Sequence, residues 1–169
     1  MHISALMTEK KRNNINIKNK FWLLQKYKPL WLICITNKEL RDSLIDWLKF
    51  LNAGFVVISD CSKNELISNN IVMTDKVDES IISGFDFVVS DDNIEKVSDF
   101  LWAWVAPIII RENHLSNVLK EFNPMKNEWN AYFYDDSNHW SICYSVVRYM
   151  ENYKFPFDNK NLVKNIVSA

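Results

Sequence analysis

Five short apolar runs, with helix-patterned segments between them, restrict this chain to one kind of architecture. Residues 30–36, 55–59, 71–74, 85–89 and 107–110 are near-continuous stretches of strand formers, with little of the in/out alternation that a half-solvated sheet shows. After the first run, Leu40, Leu44, Trp47, Leu48 and Leu51 recur at helical spacing over residues 38–51. Ile94, Val97, Leu101 and Trp104 do the same over 93–104. Runs buried on both faces and separated by amphipathic helices predict an α/β, doubly wound, Rossmann-like parallel sheet. The weaker segments predict a helix over 63–68, one or two helical turns over 77–83 ending near Gly84, and a helix starting near Leu115. In the tail, 128–134 reads as a short edge strand. Ser137 or Asn138 caps a helix carrying Trp140, Val146, Val147 and Met150, and Pro156 interrupts before a last helix over 159–167.

At 169 residues the chain has the length of one compact domain, placed over residues 20–169. Residues 1–19 are Asn-rich and basic, with Lys10, Lys11, Arg12 and Lys18, and read as a flexible basic arm. Twenty Lys+Arg against 21 Asp+Glu leave a net charge of -1, which supplies no general field for a nucleic-acid backbone or an anionic membrane. Neither partner is expected. The apolar runs fall short of the roughly 20 residues a spanning helix needs, and the N-terminus has no signal-peptide core, so the expected location is the cytoplasm. Cys34, Cys61 and Cys143 are widely spaced with no C-x-x-C, and read as small buried hydrophobes. No metal and no cofactor is implied.

Only Gly54 and Gly84 occur, against an average near 7%. Loops that cradle phosphate on backbone amides rely on glycine, and neither G-x-G-x-x-G nor a P-loop can be written here. Doubly wound sheets bind ligands beyond the carboxyl ends of their strands, which directs attention to Thr36, Asn37, Asp60, Asp91, Asp92, Arg111, Glu112, Asn113 and His114. A phospho-receiver would need an acidic pair after its first strand, an acceptor aspartate after its third and a lysine after its fifth; Thr36-Asn37, Asp75 and Arg111 stand there instead. Asp91 and Asp92 suit a hard cation or acid-base work, and equally suit the positive end of a following helix. His114 and His139 have no partner at triad or metal spacing and read as solvated loop residues. Trp31, Trp47, Trp102, Trp104 and Trp140 lie within strand and helix patterns and read as core, with stacking on sugars the alternative.

The order of local motifs resembles the C-terminal, nucleotide-sugar-binding domain of the starch and glycogen synthases, glycosyltransferases of the two-domain GT-B fold. Asn19-Lys20 with Leu24-Gln25-Lys26 resembles the segment leading into that domain, and Pro29-Leu30 with residues 33–36 its first strand. Gly84-Phe85-Asp86-Phe87 through Ser90 is similar to its fourth strand, residues 101–111 to the helix and strand that follow, and Asn161-Leu162 to a helix near its end. The resemblance implies a GT-B-like fold and a nucleotide-sugar site formed by Asn37, Arg41, Asp91, Asp92, Arg111, Asn113 and His114.

At those positions the chain departs from the family. Asn37 stands where an arginine neutralises phosphate, and Arg41 is the stand-in for a nearby lysine. The acidic loop after the fourth strand becomes Asp91-Asp92-Asn93-Ile94-Glu95, and Asn113 and His114 replace two glycines whose amides face phosphate. The acceptor-binding N-terminal domain has no counterpart in the sequence. The reading is therefore a glycosyltransferase-like domain, non-catalytic on its own, with no catalytic residue assigned, acting as a regulatory or assembly module through a protein partner. Two alternatives stand beside it: the donor-binding half of a two-chain glucosyltransferase, completed by a separate N-terminal glycosyltransferase domain and using ADP-glucose or UDP-glucose, and an unrelated α/β ligand-binding module.

Overall fold

The computed structural model describes residues 3–91, 97–113, 115 and 118–168. Strand β1 (Leu30–Cys34) lies at the centre of a seven-stranded sheet. On one side follow β2 (Gly54–Ile58), β4 (Ile71–Thr74) and β3 (Glu65–Ser68); on the other, β5 (Phe87–Ser90), β6 (Ala106–Ile110) and β7 (Tyr132–Tyr134). All pairs are parallel except β3 with β4. Pro107 fits inside β6 because Ala106 donates its N–H toward β5, so the missing N–H of Pro107 falls on the other side, where pairing with β7 begins only at Ile108.

Both faces of the sheet are buried, which explains the continuous apolar runs. Trp31, Ile33, Phe55, Val57, Phe87 and Val89 face helices α2 (Lys38–Leu48), α4 (His139–Tyr153) and α5 (Pro156–Val167). The alternate residues Leu30, Leu32, Val56, Val72 and Val88 face the opposite side, with Phe100 of α3 (Val97–Trp102). Trp31 is fully buried, its ring 4.7 Å from Phe87 and 6.0 Å from Tyr149. Asn138 caps α4 by accepting from the Ser141 N–H at 2.9 Å, and Pro156 starts α5 instead of interrupting before it, its ring suiting a first helical turn that needs no donor.

Three expectations fail on local grounds. Residues 63–68 form no helix: Glu65–Ser68 pairs antiparallel with β4 across the turn at Asn69-Asn70, and Asn70 is held below by donating to the carbonyls of Leu48, Leu51 and Ala53. The tryptophans are mostly outside the core: of the five, only Trp31 is buried, while Trp47, Trp102 and Trp140 are exposed and Trp104 is half-buried at a φ of 60°.

Nor do residues 3–19 form a flexible arm. Helix α1 (Ile3–Lys20) lies against a short 3-10 helix, Glu79–Gly84, through the stripe Leu6, Lys10, Asn13 and Ile17. Lys10, only 6% exposed, donates from Nζ to the carbonyls of Ser83 at 2.8 Å, Phe85 at 2.7 Å and Trp104 at 3.0 Å. Asn13 donates to Ser83 Oγ and Asn14 to the Gly84 carbonyl, and Lys20 pairs with Asp78. Two polar residues in the buried stripe hide the helix from a hydrophobic-periodicity reading. The contact requires glycine at position 84, where an added Cβ would sit 2.4 Å from the Asn13 carbonyl carbon and 2.5 Å from the Asn14 nitrogen.

Gly84→Ala is accordingly expected to lose about 1–3 kcal/mol in urea unfolding, because backbone must move. Gly54→Ala, where the nearest atom is the flexible end of Leu30 at 3.1 Å, is expected to lose less. Burial pushes the Lys10 ammonium down to about 8 from 10.5, against the pull of Asp86. Between pH 8 and 9 the unfolded chain thus keeps a proton that the folded chain is releasing, and stability is expected to rise, by at most about 1.4 kcal/mol per pH unit. At higher pH the sign reverses. Burial holds the Cys143 thiol up at about 11 and the Tyr149 hydroxyl well above 10, so the folded chain keeps protons that the unfolded chain loses. Urea titrations across this range are expected to show the rise and then a fall above pH 10, with the rise reduced in Lys10→Met, since burial also lowers the Lys18 ammonium.

Candidate functional site

The strand order reverses between β1 and β5, which opens a crevice at their carboxyl ends. At its lip the chain leaves β1 through Thr36 and Asn37, whose backbone N–H groups point out of the sheet at the start of α2. In this position they are a natural anion site. The anion is supplied from within. Asp91, directly after β5, accepts at Oδ2 from the Thr36 N–H at 2.5 Å, the Thr36 hydroxyl at 2.6 Å and the Asn37 N–H at 3.3 Å. The Asn37 side chain is also spent locally, accepting from the Leu40 N–H at 3.0 Å as the cap of α2.

Beneath this lip lies a cavity of about 640 Å³. Its floor is apolar, with Leu32, Ile58, Ile82 and Phe100, and its walls carry Asp60, Asp75, Glu79 and Asp99 against Arg41 and Lys76. Four carboxylates against two cations make a poor reception for a diphosphate. Arg41 reaches in from the first turn of α2, where Nη1 donates to the Ile35 carbonyl at 3.3 Å and Nε is buried with no partner among the described residues.

The remaining sequence candidates do not join this site. Arg111, just past β6, is not among the residues lining the cavity. It donates from Nε to Asp135 at 2.6 Å and from Nη2 to Glu121 at 3.4 Å, and its guanidinium lies 5.3 Å from the Phe133 ring centre. The hydrogen bond to Asp135, with the Glu121 charge beside it, holds the guanidinium above its ordinary range. Asn113 turns back on its own loop, donating to the Ile110 carbonyl at 2.6 Å and accepting from the Leu115 N–H at 2.8 Å. Asp92 and His114 lie outside the described residues. The structure thus joins Asn37 to Asp91 and to Arg41, while Arg111 and Asn113 are engaged by other partners.

Lys76, Glu79 and Asp99 line the cavity without a sequence motif to mark them, and Asp75, directly after β4, is marked only as the residue at a phospho-receiver's acceptor position. The partners of Arg111 were equally silent: Glu121 and Asp135 lie 10 and 24 residues further on. Among the described residues no group of three or more His, Cys, Asp and Glu is placed to hold a metal ion. No helix among them is long and apolar enough to cross a membrane.

No protein-family model and no curated protein matches the sequence. Solved structures do match the fold. The catalytic domain of starch synthase IV from Arabidopsis thaliana, bound to ADP and acarbose, superposes with a TM-score of 0.72 over 95% of this chain and 39% of that one, at 14% identity. A glycosyltransferase of kitacinnamycin gives 0.57 over 86% of this chain and 40% of that one, at 10% identity. The glycosyltransferase SnogD from Streptomyces nogalater gives 0.52, again over 86% and 40%, at 11% identity. The fold is that of a Rossmann-like domain of GT-B glycosyltransferases, and the chain spans about two fifths of the length of these enzymes.

Removing the internal anion has a measurable structural cost. Asp91→Ala strips three hydrogen bonds from a partly exposed carboxylate and is expected to destabilise the fold by about 1 kcal/mol. Hydrogen exchange at the Thr36 and Asn37 amides is expected to accelerate, while exchange in β2 stays unchanged.

Proposed function

We propose that this is a glycosyltransferase-like domain that does not transfer sugar on its own and acts as a regulatory or assembly module. The single observation that carries this reading is the carboxylate of Asp91 on the amides of Thr36 and Asn37. A nucleotide diphosphate approaching that lip meets an acceptor already in place of its own phosphate, and like charges repel. The ion pairs of Arg111 support the same reading, since that cation is neutralised by two carboxylates of the chain itself. Catalysis between two domains also needs groups from both sides to orient the reactants and exclude water. The domain matches about two fifths of the starch synthase catalytic domain, and so corresponds to one side of such a cleft.

The open cavity beside Arg41 favours one alternative: a donor-binding half that a separate N-terminal domain completes. There, Arg41 would meet the phosphates of ADP-glucose or UDP-glucose.

Titration calorimetry of the chain with ADP, ADP-glucose, UDP and UDP-glucose separates the two. The module reading expects no heat up to millimolar ligand. Saturable micromolar binding that Arg41→Ala abolishes would establish the enzyme half.

A further inference from the structure

Helix α4 buries Ile142, Val146 and Tyr149 against the sheet and turns Trp140, Tyr144 and Val147 outward, 57%, 67% and 43% exposed. A helix with one solvated face ordinarily carries polar residues there. From α2, the Trp47 ring meets Trp140 at 4.4 Å and is itself 43% exposed, and Phe50, one turn on, is 76% exposed. With about 150–250 Å² per aromatic side chain, these five residues leave roughly 500 Å² of apolar surface in water. That is at the upper end for a monomer, about 300–600 Å². The edges of the patch are charged: Lys49 pairs with Asp46, and Arg148 with Glu121.

We propose that this face is a homodimer interface, two copies meeting about a two-fold axis with their α4 helices antiparallel. Three observations point to a second copy of this chain. The stripe at positions 140, 144 and 147 runs down one helix face, and such a stripe is self-complementary under a two-fold operation. The area doubles on pairing to roughly 1,000 Å² from these side chains alone, the threshold of a specific interface. A net charge of -1 per chain sets almost no repulsion against self-association. An aromatic centre with a charged rim is also the usual layout of such contacts. None of the five residues lines the strand-end cavity, and oligomeric state is read without any ligand, so the proposal stands or falls independently of the donor-site reading.

Sedimentation equilibrium of the full chain tests it, with Tyr144→Lys and Met125→Lys alongside. Met125 is 91% exposed elsewhere on the surface, and both substituted side chains are exposed, so circular dichroism is expected to be unchanged. The expected result is a dimer of micromolar or tighter dissociation constant, weakened about 100-fold by Tyr144→Lys and unaffected by Met125→Lys. A wild-type chain that is monomeric at about 100 micromolar overturns the proposal. So does a dimer that survives Tyr144→Lys, or one that both variants weaken equally.

Discussion

An ammonium sunk between a helix and a sheet must be solvated by protein oxygen or lose its charge, and Lys10 meets that requirement with three backbone carbonyls. The three come from different places: two from the end of the 3-10 helix and its exit into β5, one from the turn that leads into β6. A single side chain therefore ties α1 to the connections on both sides of β5. Asp86 belongs to the same arrangement. It is half-buried, its carboxyl raised by desolvation and held back by the Lys10 charge, and it accepts from the Leu30 N–H at 2.8 Å to fix the start of β1. Through these contacts the first helix, the central strand and the strand beside it share one polar anchor, and Gly84 provides the clearance that lets the helix reach it.

With β1 and β5 held side by side, Asp91 at the end of one falls within reach of the amides at the end of the other. Position, not acidity, decides what this carboxylate does. A carboxylate facing open solvent after β5 could receive a cation; turned onto Thr36 and Asn37, it occupies the anion site that a doubly wound sheet creates at its switch point. The fold has a crevice at the switch point, and the chain's own Asp91 completes the hydrogen bonds of the two amides at its lip. The charged walls of the cavity and the double pairing of Arg111 act in the same direction, one by repulsion and the other by removing a free cation.

The sheet was legible in the sequence because burial on both faces writes itself as apolar runs, and the order of those runs carried the GT-B resemblance that the solved structures match in fold. What stayed hidden has physical causes. Helix α1 buries Lys10 and Asn13, so its stripe looks polar. Strand β3 is short and its Leu66 and Ile67 are exposed, so it lacks the signature of the inner strands. The outward tryptophans share the helical spacing of core residues, and spacing alone does not say which side of a helix is covered. Around the site, the strand-end rule puts Asn37 and Asp91 just past neighbouring strands, but it does not show Asp91 turning inward, since a hydrogen bond between residues 55 apart leaves no local trace.

The Thr36 and Asn37 amides are satisfied from within, and amide NMR shifts of those two residues read this directly. Under titration with inorganic pyrophosphate, both resonances are expected to stay fixed in the native chain and to move in Asp91→Ala, where the donors are released. Equal, saturable movement in the native chain would contradict it, by showing that the lip still receives an external anion with Asp91 in place.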